Sequence, residues 1–154
     1  MALSPPMRED EPDVVSVAMG THRVEIDRDT LVVTVRGMLT GKDMLALIEH
    51  FVRVKQQHGC LFILYDGREC TGINADARKS ASAAARPESD ATLRVAFGVP
   101  YTVRVMLNML LRAQKVLLKR DIAIRVFEHE KEAREYLEKE RERLRRELKN
   151  KMTQ

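Results

Sequence analysis

Residues 60–66, CLFILYD, are apolar at every position before the closing acid. A strand with one solvated face alternates apolar and polar residues, and a surface helix repeats at about 3.6 residues. A short unbroken run fits neither and reads as a strand covered on both faces, the kind found in parallel sheets flanked by helices. LRVAFGV at 93–99 is a second such run, and IAIRVF at 122–127 supplies the last strand. The fold is therefore constrained to α/β before anything else is considered.

The segments between these runs set the order. HRVEI at 22–26 and LVVTVRG at 31–37, joined by Asp27-Arg28-Asp29-Thr30, predict an antiparallel hairpin. Thr40 with Asp43 three residues on has the form of a capping box, and Met44, Leu47, Ile48 and Phe51 follow at helical spacing until Gly59. Residues 75–86 are Ala-rich and helical up to Pro87, and Pro100 opens an apolar helix over 100–119. A charged helix runs from about residue 129 onward. A hairpin followed by alternating strands and helices predicts a mixed sheet whose later strands are parallel, with about four helices. Residues 1–19 are read as a disordered acidic arm, Pro-rich through Asp13, in which VVSVAM at 14–19 also suits an edge strand. The domain is expected over 20–140, with 141–154 as a charged helical extension. That helix carries only a thin apolar seam (Ala133, Leu137, Leu144, Leu148, Met152), so its part beyond about residue 140 is expected to project into water or to pair with another helix.

Composition narrows the function classes. The net charge of +4 is small beside 27 basic and 23 acidic residues, and Trp is absent, so no aromatic-and-basic platform for nucleic acid is present. Cys60 and Cys70 are the only cysteines, at a spacing that suits neither zinc nor a redox pair. Two reduced thiols, an N-terminus without the pattern of a signal peptide and no apolar stretch of about 20 residues lead to a cytoplasmic expectation. His22, His50, His58 and His129 are scattered, and no nucleophile elbow, P-loop or dinucleotide fingerprint occurs. The expectation is a protein without catalysis, metal or cofactor. A Cys70 nucleophile with His129 as base is the weaker alternative.

Residues 61–81, LFILYDGRECTGINADARKSA, run from an apolar strand into Asp66, through a short polar loop, to a small-residue helix starting near Asn74. This stretch resembles the phosphorylation-site loop of STAS domains, the SpoIIAA-like family of anti-sigma-factor antagonists. The element order over roughly 20–140 carries the same likeness, as does EKEAREYLEKER at 130–141, which is similar to the ending of a looser SpoIIAA-like group sometimes compared with lipid-carrying SEC14 domains. The resemblance implies a bacterial regulatory module that meets a regulatory protein through this loop and helix, at Asp66, Arg68, Asn74, Asp76, Arg78 and Lys79. Family loops usually read Asp-Ser-Ser-Gly, with one serine phosphorylated. Here Asn74-Ala75-Asp76-Ala77 stands in register, without a hydroxyl at either serine position, and Thr71 lies off register. Asn74 or Asp76 can cap the helix. The alternative is that Asp76 imitates a permanently phosphorylated serine.

Two further surfaces are singled out. Tyr101 and Arg104, at the start of the helix over 100–119, are positioned for an anion, while Arg104 paired with Asp66 or Glu128 is the plainer expectation. The same helix has one polar stripe (Arg104, Asn108, Arg112, Lys115, Lys119) and is apolar around much of the rest. Its surplus has three outlets: burial within the monomer, a homodimer, or an apolar ligand or membrane, with Met106, Met109 and Leu110 on the surface concerned.

Overall fold

The computed structural model describes residues 14–84, 86–119 and 122–153. The acidic part of the expected arm, 1–13, lies outside the described residues. Six strands form one sheet in chain order: β1 (Val14–Met19), β2 (His22–Asp27), β3 (Thr30–Leu39), β4 (Phe62–Ile73), β5 (Leu93–Phe97) and β6 (Arg125–Phe127). β1–β2 and β2–β3 are antiparallel, and the pairs from β3 onward are parallel. The helices are α1 (Gly41–His58), α2 (Ala75–Ala83), α3 (Tyr101–Leu118) and α4 (Glu130–Met152), with a 3-10 turn at Pro87–Ser89. The hairpin, the mixed sheet and the four helices agree with the sequence reading, and the 14–19 segment is an edge strand.

The apolar run has the expected cause. Successive strand residues point to opposite faces, so Leu61 and Ile63 enter one core with Leu47 and Phe51 of α1, Ala77 of α2 and Val103 of α3. Phe62 and Leu64 enter the other with Val95 and Phe97 of β5 and Ala133 and Leu137 of α4. One face is thus covered by three helices and the other by α4.

The capping box on α1 forms as read: Thr40 Oγ1 accepts from the Asp43 N–H at 3.3 Å, and Asp43 Oδ2 accepts from the Thr40 N–H at 3.0 Å. The same carboxylate also takes a bond from buried His22, whose Nε2 lies 3.0 Å from Asp43 Oδ2. His22 Nδ1 accepts from the Arg36 N–H at 3.0 Å, which places the ring proton on Nε2. One imidazole therefore ties β2, β3 and the start of α1 together.

Four expectations are corrected. Residues 67–73 are not a loop: β4 continues through Ile73, paired with the last residues of β3 across two register shifts. Arg68, Glu69 and Thr71 look loop-like because they face solvent on a strand, not because the strand has ended. The Ala-rich helix stops at Ala83 rather than 86, the strand expected over 93–99 ends at Phe97, and that over 122–127 contracts to Arg125–Phe127.

The part of α4 beyond residue 140 does not stand free. Arg141 donates to Thr30 Oγ1 at 2.9 Å, and Arg145 donates to both oxygens of Asp29, at 2.9 Å from Nε and 2.6 Å from Nη2. Leu144 packs on the α4-side core. Asp29 sits in the β2–β3 turn and is buried, so its charge needs a cation, and the helix is long enough to bring one.

Candidate functional site

β5 ends in register with Asp66, so the last seven residues of β4, 67 to 73, extend beyond it. Gly98 turns the chain away after β5 at φ 68°, a left-handed conformation open to glycine, and its Cα faces the Arg68 side chain. The overhanging end of β4 and the start of α2 form a corner at the carboxyl edge of the parallel strands, where open α/β sheets place their sites.

Asp66 does not face outward at this corner. It is largely buried and held by a fork from Arg68, with Nε donating at 3.0 Å, Nη2 at 2.7 Å and the Arg68 N–H at 3.2 Å. Burial pushes the Asp66 carboxyl up, but the Arg68 hydrogen bonds outweigh it and hold the group below its ordinary range. Asp66 thus aims Arg68, whose guanidinium stacks 5.3 Å from the Phe97 ring while its side chain stays 59% exposed.

At the other side of the corner, Asn74 takes the capping role: its Oδ1 accepts from the Ala77 N–H at 2.7 Å. That leaves Asp76, exposed in the first turn of α2, without cap duty. The two readings of the motif therefore separate, with the cap on Asn74 and a carboxylate on view at Asp76. Lys79 is exposed and Arg78 half-buried. The turn is held rigid from behind, because Ala77 is fully buried and a Cβ on Gly41 would lie 3.1–3.2 Å from Asp76 atoms. A side chain at the start of α1 would need the Asp76 turn to give by a few tenths of an ångström.

The residues at the start of α3 are not assembled as expected. Tyr101 is 79% exposed, and Pro100 provides no side-chain cap. Arg104 bonds neither expected acid: Asp66 is occupied by Arg68, and Glu128 lies 4.0 Å from His129. Its Nε is buried without a hydrogen-bond partner among the described residues. Arg68 wins Asp66 because two residues along one strand bring it there without any tertiary contact.

Met106, Met109 and Leu110 diverge rather than share one surface. Met106 lies toward Gly72 of β4, Met109 is 60% exposed, and Leu110 lines a cavity. That cavity, of about 160 Å³, lies between the sheet and α1, α2 and α3, and the sequence reading missed it. Gln114 also lines it and is only 5% exposed. The available signal was spacing: Val103, Leu107 and Leu110 are followed four residues later by Gln114, a polar residue at a core position. Cys70 and His129 are not brought together, since Cys70 is in the three-helix core and His129 is exposed before α4. Burial also pushes the Cys70 thiol up, away from thiolate chemistry. No His, Cys, Asp and Glu group suited to a metal occurs among the described residues.

No family model matches the chain, and no curated protein does. Among solved structures the chain is similar to the anti-sigma factor antagonist SpoIIAA in its unphosphorylated form. The two are 13% identical, the match covers 79% of this chain and 98% of that one, and the TM-score is 0.53. An uncharacterized Shewanella loihica protein of the DUF3478 family with a SpoIIAA-like fold is 14% identical, with coverage of 80% and 91% and a TM-score of 0.48. The fold of this chain is SpoIIAA-like.

Proposed function

We propose that this chain is a non-enzymatic interaction module that docks a regulatory protein through the corner made by the end of β4 and the start of α2. Arg68, Asn74, Asp76, Arg78 and Lys79 supply its contacts, and Asp66 positions Arg68. The observation that carries the reading is the exposed carboxylate of Asp76 on a turn whose cap is already filled by Asn74 and whose back is locked by Gly41. A pre-formed turn loses little entropy on binding. With no hydroxyl at the two aligned positions, docking would be constitutive there, with Asp76 a partial substitute for phosphate charge. Affinity capture from a lysate of the native host is expected to recover a partner, and Arg68→Glu, Asp76→Lys and Lys79→Glu to reduce recovery while leaving the circular-dichroism spectrum intact. Recovery untouched by all three changes rejects this surface.

A second reading is favoured by the outward side of α3. Val105, Met109, Val116 and Leu117 are 40%, 60%, 76% and 78% exposed, an unusual display of large apolar side chains. From Ala91 to Lys119 the chain has no acidic residue, and Arg112, Lys115 and Lys119 adjoin these side chains. Among the described residues no helix is long and apolar enough to cross a membrane. An apolar arc beside a basic one suits a helix lying on an anionic bilayer surface. Co-sedimentation with phosphatidylserine vesicles, lost in Met109→Glu/Leu117→Glu, is the expected result. Absence of co-sedimentation, with a concentration-dependent dimer in light scattering, would instead assign the arc to a second copy.

A further inference from the structure

The three-helix side of the sheet is incompletely filled. From α2 and its C-cap only Ala81 and Ala84 reach the cavity wall, so methyl groups stand where larger side chains would close the space. The rest of the wall is apolar over most of its extent, with Leu47 and Phe51 of α1 and Leu107 and Leu110 of α3 prominent. Its polar residues include Gln114, on the last turns of α3, and Arg94, near the start of β5. The crossover from β5 through α3 returns those turns toward the beginning of β5, so both belong to the same end of the layer.

Gln114 is the anomaly. Its side chain lies at a core position, only 5% exposed, and lines the cavity. A primary amide on a mostly apolar wall is an unusual choice, because its polar group calls for a partner there. The Arg94 guanidinium lies beside the buried Tyr65 phenol, which lines the same cavity, and opposes the upward push that burial exerts on it. Arg94 also borders a second cleft, of about 430 Å³, which shares Asp90, Arg94 and Ile122 with the first. A guanidinium thus stands at the wall between an apolar interior and a more polar cleft. Asp90, on the same rim, already has a partner of its own.

We infer that this cavity binds a compact organic acid, its apolar body seated among Leu47, Phe51, Leu107 and Leu110 and its carboxylate accepting hydrogen bonds from Gln114 and Arg94. Size sets the class. An apolar cavity of about 150 Å³ holds one benzene molecule, so a body of about six carbons fits and a two-chain lipid does not. The acid end is assigned by the donors, since an amide N–H and a guanidinium both favour a carboxylate over an amine. The inference rests on neither reading given above and needs only the cavity and its polar end.

The test uses the full chain with hexanoate and benzoate, and with hexanol and benzyl alcohol as neutral counterparts, by titration calorimetry and thermal unfolding. The acids are expected to bind and to raise the melting temperature, the alcohols to bind about tenfold more weakly. Gln114→Met keeps the length and loses the amide. It should bind the acids about tenfold more weakly. Arg94→Met should lose the preference for acid over alcohol. The inference is overturned if neither acid binds the wild type at about 10 mM, if the alcohols bind as well as the acids, or if Gln114→Met binds the acids as tightly as the wild type. The Gln114→Met affinity and the acid-against-alcohol comparison suffice should Arg94→Met not fold.

Discussion

Arg145→Met is expected to lower stability by about 2 kcal/mol, seen as a lower denaturant midpoint with an unchanged slope. The Asp29 side chain is 7% exposed and takes two bonds from Arg145, one from the Thr30 hydroxyl at 3.0 Å and one from the Cys60 thiol at 3.4 Å. Breaking a fully buried pair costs about 3–5 kcal/mol. Arg145, however, is 40% exposed, so water screens part of the interaction and the lower figure applies. Met retains apolar contact with Phe62, whose ring lies 5.9 Å from the guanidinium. Cys60 stays a thiol and a donor at neutral pH, since burial, then the neighbouring Asp29, pushes it up to about 11.

The pH dependence has a definite sign. Burial raises the Asp29 carboxyl, but the bonds from Arg145, Thr30 and Cys60 outweigh it and hold the group below its ordinary value. A carboxyl depressed by folding contributes fully above its unfolded pKa of about 3.9 and loses that contribution as pH falls through the folded value. The wild type should therefore exceed Arg145→Met by a constant margin above about pH 5, with the margin shrinking below about pH 4. A margin independent of pH down to about pH 2 would show that the cost does not arise at Asp29. A chain ending at Glu140 should lose at least as much, because Arg141 and Leu144 go with Arg145.

His22→Ala is expected to cost about 3 kcal/mol. The imidazole is 3% exposed, and its removal leaves a void, an Arg36 N–H without its acceptor and Asp43 without one of its donors. Amide exchange should quicken at Arg36 and over the first turn of α1, since Asp43 both caps that turn and meets His22. A cost below about 1 kcal/mol, with protection at Arg36 unchanged, would mean that water or a neighbour replaces the ring.

The amount legible in advance differs from residue to residue. A cap at Asn74 or Asp76 was readable because capping spans three residues of one segment, and the structure places it on Asn74; the same short range made Thr40 with Asp43 legible. The overhang of β4 was not readable. Gly67, Arg68, Glu69 and Thr71 have the composition of a loop, and their strand character depends on pairing with Arg36–Leu39, about thirty residues earlier. Arg104 was paired with Asp66 or Glu128 from its place in the topology, whereas Arg68 reaches the Asp66 carboxylate first along the strand.

Local sequence determined which faces must be covered: the unbroken apolar run at 60–66 required helices on both sides, and the hairpin and caps followed from short-range geometry. Only the tertiary structure decided what covers them. The Ala-rich α2 leaves a cavity because α1 and α3 do not close over it, and the far end of α4 is held because a buried carboxylate waits in a turn more than a hundred residues away. Patterning is a property of neighbours in the chain. Packing and charge pairing are settled among residues whose distance apart no local pattern encodes.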